Sequence, residues 1–121
     1  MSINKTLNYM LAKQAEVLLN FSGQVTMSST YLKGAGGELG DGFPLPKNAR
    51  IYRIDCWDGT SLVSDSGDVA ANQGDRLSVY ANQNAGVFDV YVQINGVNSS
   101  LVATGAVNNT TLMVTVHLKL I

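Results

Sequence analysis

The chain has 121 residues, of which 45% are hydrophobic and only 14% are charged, and its formal net charge is −1. This length fits one domain, and the near-neutral charge gives no electrostatic reason to bind nucleic acid or an anionic membrane. A surface so poor in ions favours a protein that covers part of itself in an assembly.

The first segment, residues 3 to 16, is the only predicted helix. Its apolar side chains recur at helical spacing and form one stripe. A helix of this length is marginal in water, so the stripe must dock on its own domain, on sister subunits or on another protein. We therefore predict an N-terminal helical arm over residues 1–16, whose partner-binding residues are Ile3, Leu7, Met10 and Leu11.

The same segment argues against export and membrane insertion. It lacks a basic start and an uninterrupted apolar stretch, so we expect no signal peptide. No apolar run in the chain approaches the ~20 residues that cross a bilayer.

From residue 17 the apolar period changes to two, which predicts one long strand over residues 17–32. Gly23 within it indicates a bulge or a close backbone approach. Residues 33–42 contain five of the twelve glycines and are predicted to be a loop. This loop lacks the spacing of a phosphate-binding loop, and no clear helix follows it.

The next predicted strand, residues 51–57, follows a proline-containing edge segment at residues 43–46. Strict alternation assigns its residues to two faces: Tyr52, Ile54 and Cys56 on one, and Ile51, Arg53, Asp55 and Trp57 on the other. Because Ile51 and Trp57 then lie on the nominally outer face, we expect a second layer or a neighbouring subunit to cover it. Cys56 is expected to be a small buried hydrophobe, and a single cysteine cannot form an internal disulfide.

Residues 58–75 are rich in Asp, Ser and Gly and are predicted to be loop, with at most a short strand at residues 61–63. Five aspartates could supply oxygen ligands for calcium: Asp55, Asp58, Asp65, Asp68 and Asp75. Their spacing does not match an EF-hand, and aspartate also favours turns. We therefore expect solvated turns, with no metal and no cofactor.

The clearest local pattern is the hairpin over residues 87–102, which follows a predicted strand at residues 76–80 and a turn at 82–86. Apolar and polar residues alternate up to Asn95-Gly96, a pair typical of a tight hairpin turn. A turn at residues 103–110 and a strongly alternating strand at 112–120 complete the chain. His117 falls on the polar face of that strand with no carboxylate partner indicated by spacing, so we expect an exposed or interfacial imidazole.

Many short strands separated by turns predict an all-β fold. The specific expectation is a compact, jelly-roll-like antiparallel β-sandwich over residues 17–121, preceded by the arm over residues 1–16.

Three segments resemble motifs of small jelly-roll domains in tailed-phage particles. They are FPLPKNARIYRI at residues 43–54, GDRLSV at 74–79 and DVYVQING at 89–96. Such domains occur as capsid decoration (cement) proteins and as heads of fibres, and they are commonly trimeric. The resemblance extends over residues 43–121. The chain lacks a collagen-like repeat and a long heptad stalk, which favours a short protein that sits directly on the particle.

The resemblance and the composition together predict a non-enzymatic virion protein on the capsid or tail surface. It would be a trimeric decoration or head-fibre subunit that binds the major capsid protein, or another virion protein, and stabilises the capsid lattice. The side chains expected at subunit interfaces are Ile51, Trp57, Tyr91 and Met113.

An alternative is the receptor- or glycan-binding tip of a tail fibre, in which Trp57, Tyr80 and Tyr91 stack on sugar rings. An enzyme is not expected, because Cys56 and His117 lack partners and the carboxylates fall in turns at no informative spacing.

Overall fold

The computed structural model describes residues 16–34, 42–65 and 67–121. The predicted helical arm, with Ile3, Leu7, Met10 and Leu11, lies outside the described residues except for its last position. That position, Glu16, begins a strand.

The described residues form eleven strands and no helix. The strands are β1 (Glu16–Gln24), β2 (Thr30–Tyr31), β3 (Lys33–Gly34), β4 (Phe43–Pro44), β5 (Ala49–Trp57), β6 (Leu62–Asp65), β7 (Val69–Ala71), β8 (Arg76–Asn84), β9 (Val87–Ile94), β10 (Val97–Val107) and β11 (Thr111–Leu120).

These strands form two antiparallel sheets that enclose one core, so the predicted all-β sandwich is confirmed. The first sheet has the order β3-β1-β11-β5-β6, with β7 also paired to β5. The second has the order β10-β9-β8-β2, with β4 also paired to β8. Strands β8, β9 and β10 are consecutive neighbours and form a meander. A jelly roll is built from two Greek keys, and a meander of three consecutive strands in one sheet departs from that order.

Alternation along β11 shows how the sequence builds the core. Leu112, Val114, Val116 and Leu118 are each at most 1% exposed, whereas the residues between them face away from the second sheet. The β9–β10 hairpin is also confirmed, with positive φ at Asn95 (53°) and Gly96 (78°).

The single strand predicted over residues 17–32 is wrong, because the chain leaves the first sheet after Gln24. Val25 has no exposed surface, and its backbone N–H donates to the Thr110 carbonyl at 2.9 Å. The chain then crosses to the second sheet and pairs there as β2. Gly23 pairs in regular register, and a Cβ at this position would lie 3.2 Å from the Leu32 side chain. The predicted bulge is therefore absent, and the group that lies close to Gly23 is the Leu32 side chain.

The face assignment of β5 is also wrong at Ile51 and Tyr52. His117 of β11 pairs with Arg53, but the next residue, Leu118, pairs with Ile51, so Tyr52 is an extra, bulged residue. The bulge turns Ile51 into the chain's own core, where it is 1% exposed. Ile51 therefore cannot form part of a subunit interface in this fold.

Several strand bounds differ from the prediction. β8 continues to Asn84 and β10 to Val107, so the turns that follow them are shorter than expected. β7 was not predicted, because the aspartates and glycines around it are typical of loops.

Candidate functional site

A groove of about 360 Å³ lies on the outer face of the first sheet. Four of its lining residues are neighbours in register across β1, β11, β5 and β6, in the order Ser22, Met113, Trp57, Leu62. Met113 is 49% exposed and Leu62 is 55% exposed. We call Met113, Trp57 and Leu62 the apolar row. They make part of this outer face hydrophobic, as is typical of an interaction surface.

A second row runs beside the apolar row and is polar. Asn20, Thr115, Asp55 and Ser64 are its members in register. The Thr115 hydroxyl donates to Asn20 at 2.8 Å, and the Ser64 hydroxyl donates to Asp55 at 2.6 Å. Polar side chains thus fix one wall of the groove by bonding to one another.

Next to this wall is a charged cluster centred on His117, whose two ring nitrogens each meet a carboxylate. Nε2 lies 2.9 Å from Asp55 Oδ2, and Nδ1 lies 3.2 Å from Glu16 Oε1. Arg53 also donates to Asp55 at 2.9 Å, and the Tyr52 hydroxyl donates to Glu16. His117 therefore cross-links β1 and β5 through β11.

Hydrogen bonding in this cluster stabilises the ionised carboxylates. Partial burial would raise the pKa of Asp55, but hydrogen bonds from Ser64, Arg53 and His117 outweigh it and lower that pKa to about 2. Bonds from Tyr52 and then His117 likewise lower the pKa of Glu16.

The cluster lacks the geometry of a nucleophilic site. In a Ser–His–Asp arrangement the serine donates to the imidazole, which removes its proton. Here Ser64 donates to Asp55, and both nitrogens of His117 face carboxylates. The expectation that His117 has no carboxylate partner is therefore wrong. The sequence carried no sign of these pairings, because Asp55 lies 62 residues from His117 and Glu16 lies 101 residues away.

The outer face of the second sheet carries a different surface, which we call the tyrosine row. Tyr31, Tyr80 and Tyr91 are neighbours in register across β2, β8 and β9, and Leu101 continues the row on β10. The ring centroids of Tyr31 and Tyr80 are 4.7 Å apart at an interplanar angle of 44°. All three tyrosines are partly exposed.

Polar rows lie on both sides of the tyrosine row. One contains Ser78, Gln93 and Asn98, and the other contains Asn82, Asp89 and Thr104. Tyr31 donates its hydroxyl hydrogen to Gln93 Oε1 at 3.0 Å, and the Gln93 amide donates to Asn98 at 2.9 Å. Because Gln93 is only 5% exposed, this chain of bonds holds the Tyr31 ring in place.

The structure separates residues that the sequence analysis grouped together. Trp57 and Met113 lie together in the groove, but Tyr91 lies with Tyr80 on the opposite face of the sandwich. The predicted stacking set of Trp57, Tyr80 and Tyr91 is therefore not one site. Tyr31 was missed because it was assigned to the same strand as β1.

The aspartates of residues 58–75 are engaged in local structure. Asp58 accepts backbone hydrogen bonds from Ser61 at 2.7 Å and Thr60 at 2.8 Å, which lower its pKa. Asp68 pairs with Arg50 at 2.6 Å. Within residues 16–34, 42–65 and 67–121, no group of three or more His, Cys, Asp or Glu side chains is placed to hold a metal ion.

Cys56 is buried, as predicted. Burial, with a smaller contribution from the negative charge of Asp58, raises the pKa of its thiol to about 11. The thiol therefore keeps its proton at neutral pH.

No helix in the described part of the chain is both long and apolar enough to span a membrane.

No protein-family model, curated protein or solved structure matches this chain. The two outer faces of the sandwich are therefore the basis for assigning a function.

Proposed function

We propose that this protein is a non-enzymatic structural subunit of a tailed-phage particle that assembles as a trimer through the outer face of its first sheet. It sits on the virion surface, where it covers and stabilises the capsid lattice by binding the major capsid protein. The observation that carries the proposal is the apolar row, in which Met113, Trp57 and Leu62 face outward on three adjacent strands.

The energetics of this face support association. Leu18, Leu62 and Met113 are 50%, 55% and 49% exposed. Burying a large apolar side chain completely contributes about 1.5–3 kcal/mol, so covering the exposed half of these three contributes roughly 1 kcal/mol per side chain, or roughly 3 kcal/mol per chain. Trp57 adds an aromatic anchor of the type that dominates interface energies.

The charged cluster beside the groove suits the margin of such an interface. Its carboxylates have hydrogen-bond partners within the chain, namely Arg53 and His117 for Asp55 and Tyr52 for Glu16, so covering this margin leaves neither carboxylate without a partner. An apolar centre with a polar rim is the usual arrangement at protein interfaces.

The N-terminal segment supplies the contact to the capsid in this proposal. Residues 1–15 lead into Glu16, whose side chain lies on the outer face of the first sheet. The stripe of Ile3, Leu7, Met10 and Leu11 then grips the coat protein, as an amphipathic helix does when it packs into a groove.

Light scattering coupled to size-exclusion chromatography tests the assembly. The wild-type protein is expected at three times 12.9 kDa at micromolar concentration. Met113→Lys places a charge in the apolar row and is expected to give monomers. The matched control is Val97→Lys, because Val97 is 66% exposed on the second sheet. A monomeric wild type, or a trimer that survives Met113→Lys but not Val97→Lys, would contradict the proposal.

A deletion tests the proposed role of the N-terminal segment. A chain lacking residues 1–15 is expected to remain a folded trimer and to stop co-sedimenting with the phage particles. Unchanged co-sedimentation would assign particle binding to the sandwich itself.

A further inference from the structure

We propose that the tyrosine row binds a neutral oligosaccharide. The row lies on the sheet opposite the apolar row, so this inference does not depend on the proposed assembly function.

The length of the row fits a short chain of sugars. Tyr31, Tyr80 and Tyr91 occupy the same register position on three adjacent strands, and Leu101 extends the row onto a fourth. Strands are spaced about 4.8 Å apart, so the row is roughly 14 Å long. The C–H groups on the face of a pyranose ring pack well on such a surface, and a tyrosine loses little conformational entropy on binding.

The flanking side chains offer the hydrogen bonds that sugar hydroxyls require. An Asp89 carboxylate has about four lone-pair sites, and the Thr104 hydroxyl, at 2.6 Å, fills one of them. Asn82 pairs with Asp89 in register and carries two amide donors. Donors and acceptors therefore lie along one side of the aromatic surface.

The charge of these three rows selects the class of ligand; Arg76 lies on the same face of β8, two residues before Ser78, and donates to the Gly42 carbonyl. Among the described residues of the tyrosine row and its two polar rows, Asp89 is the only charged side chain. A carboxylate accepts hydrogen bonds from neutral hydroxyls but repels phosphate, sulfate and carboxylate groups. These rows contain no cation to neutralise a nucleic-acid backbone, so a neutral glycan fits better than an anionic one.

The opposite sheet provides a matched comparison. The groove on that side also has an aromatic residue, Trp57, but its neighbours in the row are Met113 and Leu62. Both aromatic surfaces have a flanking polar row, so the difference lies within the rows: apolar, non-aromatic neighbours suit a protein partner, whereas three adjacent tyrosine rings offer the longer aromatic surface on which a chain of sugars stacks.

The test begins with purified wild-type protein on a glycan array that includes neutral, sialylated and sulfated oligosaccharides. The strongest neutral ligand is then titrated in solution by calorimetry, where affinity per site does not depend on the oligomeric state. Tyr91→Ala is expected to weaken binding roughly tenfold or more, which is about 1.4 kcal/mol, because it removes one of the three rings of the row. Trp57→Ala, which removes an aromatic side chain from the opposite face, is expected to leave the affinity unchanged.

Two further variants guard against misfolding. Tyr91→Leu keeps an apolar side chain but removes the ring, and Asp89→Asn preserves shape while it removes the charge. Both are expected to weaken neutral glycan binding while circular dichroism shows a folded protein.

Three results would overturn the inference. They are no binding to any neutral glycan, binding to anionic glycans or to single-stranded nucleic acid alone, and a loss of binding with Trp57→Ala but not with Tyr91→Ala. A trimer that binds no glycan would contradict this inference and leave the assembly proposal intact. A monomer that binds glycan would contradict the assembly proposal and leave this inference intact.

Discussion

The substitution Asp55→Asn tests the charged cluster directly. Asp55 accepts hydrogen bonds from Ser64 and Arg53 and faces His117 Nε2, and only 17% of its side chain is exposed. Asp55→Asn keeps the size and one carbonyl acceptor but removes the charge. We expect this variant to be less stable than the wild type at neutral pH and to lose less stability in acid.

The size and direction of the effect follow from the pKa of Asp55. Its value of about 2 in the folded protein lies below the ordinary 3.8 that applies to the unfolded chain. This difference corresponds to at most about 2 kcal/mol of stability. Because the unfolded state binds the proton more readily, the stabilisation is complete above about pH 4 and disappears as the pH falls towards 2.

Urea unfolding at pH 6, 4, 3 and 2 measures this effect. Far-UV circular dichroism follows the unfolding of the β-sheet. The protein concentration is kept fixed, because assembly would make the apparent stability depend on concentration. The difference in unfolding free energy between wild type and Asp55→Asn is expected to be largest at pH 6 and to shrink towards pH 2.

The control is Asp89→Asn, which removes a carboxylate from the opposite sheet. When Asp55→Asn is added to the Asp89→Asn variant, the loss in unfolding free energy at each pH should equal the loss that Asp55→Asn causes in the wild type. If Asp55→Asn and wild type instead give parallel pH profiles, the hydrogen bonds to Asp55 do not stabilise the folded protein, and the cluster has been described incorrectly.

Three other predictions test the core, an edge strand and the thiol. Ile51→Ala should destabilise the protein by about 2–5 kcal/mol in urea unfolding, because Ile51 is buried, whereas a role in a subunit interface alone would chiefly change the oligomeric state. Gly34→Ala should lower stability by more than about 1 kcal/mol, because Gly34 has φ of 140° and a Cβ there would clash with the Asn20 carbonyl; a melting temperature equal to that of wild type would contradict this. Cys56 should react with a thiol reagent at pH 8 far more slowly in the folded protein than in urea, because the thiol is buried and its pKa is raised to about 11; rapid labelling of the folded protein would contradict this.

The sequence predicted best where one strand has one buried face. In β11 each second residue enters the core, and in β9 the same alternation leads into Asn95-Gly96, whose residues tolerate positive φ. These elements depend on local periodicity and turn chemistry, both of which can be seen in a single sequence.

Prediction failed where the chain departs from strict alternation. The bulge at Tyr52 shifts the phase of β5 by one residue and carries Ile51 inward. Apolar positions at 49, 51, 54 and 56 hold this signal, because the interval of three in the middle indicates one inserted residue. No comparable signal marks the point where the chain crosses to the second sheet at Val25. The alternation of apolar and polar residues continues through Val25 and Met27, beyond the end of β1 at Gln24.

The candidate surfaces were only partly predictable, because they depend on which strands are neighbours. Trp57 and Met113 were identified as outward apolar residues, but the sequence does not show that β11 and β5 place them side by side. Tyr31 and Tyr80 are 49 residues apart and become neighbours only through the pairing of β2 with β8. Long-range pairing of this kind is not encoded in local periodicity.

The central proposal is that sister copies cover the groove of the first sheet, and Trp57 reports on it directly. Trp57 is the only tryptophan of the chain and lies in that groove. We expect its emission at micromolar concentration to be blue-shifted relative to Met113→Lys, and to move towards that of the variant as the wild type is diluted. Emission that is identical in wild type and Met113→Lys, and unchanged by dilution, would contradict the proposal.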